Sequence, residues 1–367
     1  MGEWQPLPPT TRAWMARYAE RRLTDIWCIP GTHNSACKSA KSMAASIPFA
    51  WAKTQRLNID EQLRAGVRFL DIRLCGDGGT DQKDGSIHVS HTLVTDVPLR
   101  TLLNTLAKYL KDFPSETVFL YLRKDYNREA PRSDELQKEL HRSGLRFAPF
   151  PAEKLEVKLG ALQGQVALLL GDGLPSCIDG LSAWPATVLR GKSVCDVWQC
   201  ASTKAAYKKL EAHLQQPVDT ALRADCFRGC FVDGSFPPSP PSLTSPDMNQ
   251  WLLRKLRTAL DSESDLARWP GAQQVGLCVL DFISVDDCNR LIDLCDERCG
   301  TPVSDGESGG NPDGAKLGVP VGTSLGASEA GGVVGGASDG AAVRIRIGDP
   351  DRGSATETAA RSSASDA

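Results

Sequence analysis

No apolar run in this 367-residue chain approaches the ~18–20 residues that a membrane-spanning helix needs. The longest candidates, Val166–Leu170 and Val275–Leu280, are strand-sized, so an integral helical membrane protein is excluded. Charge of one sign is missing too: 42 Lys and Arg against 45 Asp and Glu leave a formal net charge of −3. The chain therefore lacks the basic footprint of a nucleic-acid binder, and no nucleic acid is expected as a partner. The N-terminal MGEWQPLPPTTR has no apolar core, which argues against a signal peptide, and Pro6 stands where myristoylation after Gly2 would want Ser or Thr. A cytoplasmic location follows as an expectation. Cys-x-x-Cys zinc knuckles do not account for the close pairs Cys195/Cys200, Cys226/Cys230 and Cys295/Cys299, whose spacings differ. Several of the 12 cysteines lie inside apolar runs, so reduced structural thiols are expected.

What is present is globular: 41% apolar and 24% charged residues fit a folded protein. Residues 301–367 are different, holding 14 of the 33 glycines and no Phe, Trp, Tyr or Cys. Such a segment cannot bury enough apolar surface to offset its ordering entropy, and a disordered tail is expected there. With residues 1–13 read as a Pro-rich leader, 14–300 remain as one large α/β domain. Strand-like runs fall near 26–29, 67–72, 87–91, 117–122, 165–170, 194–200, 229–234 and 275–283, several nearly continuous in apolar residues as in parallel sheets. Helical stripes lie between many of them, at Leu99, Leu102, Leu103, Leu106 and Leu110 and at Leu252, Leu253, Leu256 and Leu260. Further helices are expected at 133–143, 202–215 and 286–298. Eight strands with helical crossovers predict an irregular (β/α)8 barrel, and the connections 73–86 and 171–193 leave some crossover helices missing.

Active residues of such a barrel stand at the C-terminal ends of the strands. Strand one runs into His33, strand two carries Asp71 and Arg73, strand three ends at His91, strand four at Arg123, Lys124 and Asp125, and strand eight near Asp281. Barrel closure makes strand eight the neighbour of strand one, so Asp281 can orient His33. Two histidines suit acid–base chemistry near neutral pH and an arginine suits a phosphate, which points to phosphodiester cleavage. His91 is preferred to His88 because it shares a strand face with Ile87 and Val89. His88, His141 and His213 are read as packing or surface residues, and Lys124 as facing away from the mouth.

IPGTHNS, EQLRAGVRFLDIRL, VSHTL, ETVFLYLRKDY and VGLCVLDFI resemble, in order and over nearly all of 14–300, the phosphatidylinositol-specific phospholipase C family, in pattern closest to its small bacterial-type enzymes. The resemblance implies His33 as the general base that activates the inositol 2-hydroxyl, Arg73 as phosphate ligand, His91 as general acid and Asp281 as partner of the base. It places Arg123 and Asp125 among substrate-binding residues. Asn34 and Asp71 occupy two positions that ligate calcium in the eukaryotic enzymes, while arginines 73 and 123 occupy the other two. A guanidinium there repels Ca²⁺ and can itself neutralise phosphate, so no metal and no cofactor are expected.

The chain departs from the family at the headgroup pocket. The bacterial-type enzymes use an arginine after strand five and an aspartate after strand six, where this sequence offers Asp172 and Gln199. Phe49 and Trp51, in a segment resembling the membrane-entering helix of those enzymes, are expected to touch a bilayer transiently. The Pro-rich run 236–246 is read as a stiff connection. The reading is thus a monomeric, peripheral, calcium-independent phospholipase C acting on a membrane phospholipid, phosphatidylinositol or a glycosylated inositol lipid. Two alternatives stay open at this level: another lipid or glycerophosphodiester as substrate, and a catalytically silent lipid-binding barrel.

Overall fold

The computed structural model describes residues 13–39, 50, 52–76, 86–189, 193–197, 200–234 and 240–300. The tail beyond 300, most of the leader, and the candidate residues Phe49, Trp51 and Gln199 lie outside the described residues. Ten strands form one sheet: β1 Cys28–Thr32, β2 Phe69–Cys75, β3 His88–His91, β4 Leu93–Pro98, β5 Thr117–Lys124, β6 Gln165–Leu170, β7 Trp184–Pro185, β8 Val194–Asp196, β9 Gly229–Val232 and β10 Gly276–Leu280. Eight of them run parallel in the order β7-β6-β5-β2-β1-β10-β9-β8. The first and last strands of the domain are adjacent, as barrel closure required, with Thr32 opposite Leu280. The short strands β7 and β8 form the two edges, so the curled sheet stays open there.

Strand three differs from its expected place. β3 pairs antiparallel with the C-terminal end of β2 and with β4, while β2 pairs directly with β5. Thr92 alone separates β3 from β4, and two β-prone runs joined by so tight a turn pair with each other before either finds a distant strand. The helices are α1 Ile59–Ala65, α2 Leu99–Asp112, α3 Ser133–Arg142, α4 Thr203–Gln215, α5 Pro241–Leu260, α6 Glu263–Arg268 and α7 Val285–Cys299. The leucine stripes of α2 and α5 are buried against the sheet, apart from the half-buried Leu260. α1 escaped the sequence reading because seven residues are too short to show a stripe. A reciprocal Asn58–Glu61 capping box starts it, and Gly66, at φ 116°, ends it in a left-handed conformation open to glycine.

The run read as a stiff Pro-rich connection also differs. From Pro241 it is the first part of α5, with Pro241 in the first turn, where proline's missing N–H costs nothing, and Pro246 inside the helix. Aromatic rings fill the inside of the curl: Phe69 meets Phe231 edge-on at 6.0 Å, and Phe119 meets Phe227 at 5.6 Å and Trp184 at 5.9 Å. Gly31 in β1 permits that filling, since a β-carbon there would lie 3.0 Å from the Phe69 β-carbon.

Candidate active site

Strand register assembles the site. The pairs Val232–Leu280, Leu280–Thr32 and Thr32–Leu70 put the next residue of each strand into one row across β9, β10, β1 and β2. That row reads Asp233, Asp281, His33, Asp71. Two residues further along β2 and β5, Arg73 stands opposite Arg123. Side chains two apart share a strand face, so the arginines sit above the acidic row on the same mouth.

His33, 5% exposed, is held from both ring nitrogens. Its Nε2 faces two donors, the Asn34 amide at 2.8 Å and an Arg73 guanidinium nitrogen at 3.3 Å. An arginine can only donate, so Nε2 carries the lone pair and Nδ1 carries the proton, which it gives to Asp281 Oδ1 at 2.9 Å. This is the tautomer a general base needs. Burial keeps the imidazole below its ordinary pKa, opposed by the negative charge of the Asp233–Asp281 carboxyl pair and of Asp71, while Arg73 and Arg123 push it down further. The side chain of Gln55 donates to the backbone oxygens of both His33 and Leu280, tying the two strand ends together.

His91 closes the other side. Its ring stands edge-on to His33, centroids 5.9 Å apart, and its Nδ1 donates to the Ala52 carbonyl at 2.8 Å, leaving Nε2 for the mouth. Burial, then the positive charge of Arg73, hold it well below the ordinary histidine pKa, so it is neutral in the empty site. His88 is buried on the other side of the hairpin, bonded to Ser86. Asp125, expected to face substrate, is turned inward instead. Its carboxylate accepts from the Ser90 hydroxyl, from the Thr92 N–H at 2.6 Å and from the Asn127 N–H at 3.2 Å, so it holds the hairpin that presents His91.

Backbone strain marks the same three places. Non-glycine residues with positive φ are Asn34 at 41°, Thr92 at 64° and Phe282 at 50°, with Lys154 the only other among the described residues. These three directly follow His33, His91 and Asp281. Left-handed conformations of such residues cost about 1–3 kcal/mol each and persist where surrounding bonds over-determine them. Here the bonds are visible: Phe282 N–H to the Thr54 carbonyl at 2.6 Å, Thr54 hydroxyl to the Asn34 carbonyl at 2.9 Å, and Asp125 to Thr92.

The two arginines are unlike. Asp71, fully buried, binds Arg123 through two bonds of 3.0 and 2.8 Å, so these two candidate substrate ligands first bind each other. Burial opposes its charge, yet Arg123, aided by His33 and Arg73, holds the carboxyl down to about 2. Arg73 is left over. Its Nε is buried without a hydrogen-bond partner, its guanidinium lies over the Tyr126 ring at 5.6 Å, and burial followed by the like charge of Arg123 lowers its pKa. Asn34 Oδ1 is likewise buried without a partner. A lone guanidinium and an orphaned acceptor beside two histidines form a receptor for an anion that carries a hydroxyl.

One His/Cys/Asp/Glu set among the described residues has metal-like spacing: His33, Asp233 and Asp281, whose ligand atoms lie within 4.8 Å of one another. His33 and Asp233 each already bond Asp281, and Arg73 stands against His33, so the set fits proton sharing better than a cation. Asp233 is the member the sequence reading passed over, although it directly follows β9 as Asp281 directly follows β10. Gln55 and Asn249, which donates to the Asp281 carbonyl at 2.9 Å, carried no pattern in sequence. Asp172 is exposed at the end of β6, and its carbonyl accepts the Lys124 N–H. His141 and His213 lie on α3 and α4, away from the mouth.

Comparison with known proteins places similar sequences and a similar fold in one family. The family model "Phosphatidylinositol-specific phospholipase C, X domain" matches residues 28–167. A "1-phosphatidylinositol phosphodiesterase" of Staphylococcus aureus (strain Newman) is 34% identical over 119 residues, 32% of this chain and 35% of the relative. A Listeria monocytogenes protein of the same name is 28% identical over 119 residues, covering 32% and 34%. The aligned part thus spans about a third of these curated relatives. In structure, the phosphatidylinositol-specific phospholipase C of Listeria monocytogenes superposes with a TM-score of 0.60 at 19% identity, covering 77% of this chain and 98% of that one. The common fold therefore extends well past the segment in which sequence similarity is detectable.

Proposed function

We propose that this member of the phosphatidylinositol-specific phospholipase C family, which carries the family's X domain over residues 28–167, cleaves an inositol phospholipid by intramolecular attack. The observation that carries the reading is the pair His33 and His91, ring centroids 5.9 Å apart, with the Arg73 guanidinium at their edge, hydrogen-bonded to no carboxylate among the described residues and with its buried Nε unpartnered. The substrate 2-hydroxyl displaces the Asn34 amide from His33 Nε2 and gives that nitrogen its proton. The freed oxygen bonds to phosphorus, and the bond from phosphorus to the glycerol oxygen breaks. His91 Nε2 hands a proton to that leaving oxygen, so the products are a cyclic inositol phosphate and diacylglycerol. Asp281 stabilises the imidazolium formed on His33, and Arg73 the charge on the phosphate.

His91 is neutral in the empty site because burial, and after it the positive charges of Arg73 and Arg123, disfavour its protonated form. A bound phosphodiester cancels that positive charge and raises the histidine's pKa, so substrate itself loads the general acid. No step passes through a metal ion. The proposed setting is a membrane surface, reached by a chain whose described helices include none long and apolar enough to cross a bilayer. The test is incubation with labelled phosphatidylinositol, glycosylated inositol lipid and phosphatidylcholine, with and without chelator. A water-soluble cyclic phosphate from an inositol lipid, unaffected by chelator, is expected. Product from phosphatidylcholine, or loss of activity on chelation, refutes the proposal.

A further inference from the structure

Behind the base stands a second carboxyl that this mechanism has not used. Asp233 is 4% exposed and directly follows β9, whose register with β10 puts it beside Asp281. Asp281 is fully buried and already accepts at both oxygens: from His33 Nδ1 at Oδ1 and from the Gly234 N–H at Oδ2, 3.2 Å away. Both of those groups are donors, an arrangement that favours Asp281 as the charged acceptor of the pair. A hydrogen bond joins the two aspartates, and two carboxylates can share one only if one of them keeps a proton.

We propose that Asp233 is a positioning residue of the catalytic base: its neutral carboxyl donates a hydrogen bond to the Asp281 carboxylate and aims that carboxylate at His33. The pair carries one negative charge where two bare carboxylates would carry two. A second charge would hold His33 protonated and useless as a base, whereas no charge would leave its imidazolium unsupported. Burial, which raises the pKa of Asp281, favours keeping that proton in the pair, and the charges of Arg73 and Asp71 act on it from opposite directions. On the far side of His33 the facing groups are Asp71, Arg73, Arg123 and His91. His33, Asp281 and Asp233 thus form a three-member chain in which the outermost residue is an acid.

This inference rests on the proposed reaction, and its test has one readout that does not. In the full chain, Asp233→Ala is expected to lower kcat on a soluble inositol phosphodiester by about 10–100-fold with KM within about twofold, the loss of one charge-assisted hydrogen bond. Asp233→Asn, whose amide N–H can donate to the same oxygen, is expected to recover activity to within about fivefold of wild type. Infrared difference spectra of substrate-free protein at neutral pH are expected to show a protonated-carboxyl C=O band that is absent from Asp233→Asn. The proposal is overturned if Asn is as impaired as Ala, if Ala keeps wild-type kcat, or if the band is missing. Failure to turn over any inositol diester would sink the reaction while the infrared band still reports the pair.

Discussion

Arg73 and Arg123 face each other across β2 and β5 in one register pair, yet replacing each by methionine should have opposite effects on stability. Arg123 forms a double bond set with a carboxylate that is 0% exposed. Removing it strands the buried Asp71 charge, and breaking such a pair costs about 3–5 kcal/mol. At roughly 2–4 °C per kcal/mol for a domain somewhat smaller than this, the melting temperature should fall by roughly 6–20 °C. Arg73 has an unsatisfied Nε, a neutral imidazole at 3.3 Å, an exposed tyrosine ring beneath it and a like charge beside it. Methionine there removes an inadequately compensated buried cation, at the loss of a cation–π contact of about 0.5–1 kcal/mol. The expected melting temperature equals wild type or exceeds it by up to about 4 °C. Activity should move against stability: without Arg73, turnover is expected to drop at least about 10³-fold, about 4 kcal/mol of transition-state stabilisation. Differential scanning calorimetry at pH 7 and a continuous assay on a soluble substrate measure both. Equal destabilisation by the two substitutions, or an active Arg73→Met, would refute the assignment of Arg73 as the cation held in reserve for phosphate.

Asp281→Asn removes the charge beside His33 and is expected to lower kcat by about 10²–10³-fold, less than the ~10⁴ of a serine-protease counterpart because Asp71 remains 3.9 Å from Nε2; wild-type turnover would dissolve the dyad. His91→Ala is expected to lose nearly all turnover while His88→Ala keeps it, and the reverse result on soluble substrate would exchange their roles. Asp71 is held at about 2 in place of 3.8, so it contributes stability that is complete above pH 4 and is lost as pH falls from about 4 toward about 2. That contribution is about 2 kcal/mol, and denaturant titrations of wild type against Asp71→Asn across this window should converge as the pH drops.

The strands and the long helices were legible in the sequence because their signal is local. Apolar runs such as QVALLL and the leucine stripe of α2 bury themselves wherever the chain takes them, so pattern alone locates them. The likeness of IPGTHNS, FLDIRL and VLDFI to family motifs, with the rule that closure joins the first and last strands, also pointed to His33 beside Asp281, and the structure places them 2.9 Å apart. Shorter elements were missed where only pairing makes them: α1 has no room for a stripe, and β3 and β4 became a hairpin because they had each other within reach.

The partners of the charged residues were decided in tertiary structure alone. Asp71 and Arg73 sit two apart on one strand face, where they could pair with each other, and only the family resemblance singled out Arg73 as the phosphate ligand. Register with β5 instead gives Asp71 to Arg123 and leaves Arg73 free for an anion. Asp125 was legible as a residue of the mouth, but the turn at Thr92, inserted between elements of a parallel sheet, draws its carboxylate inward. Asp233 and Asp281 are 48 positions apart and become neighbours only because β9 lies in register against β10. A residue's own sequence neighbourhood states its charge and its strand face. Whether that charge is spent on the protein or kept for a substrate depends on which distant strand lies alongside, and that is set by the packing of the whole sheet.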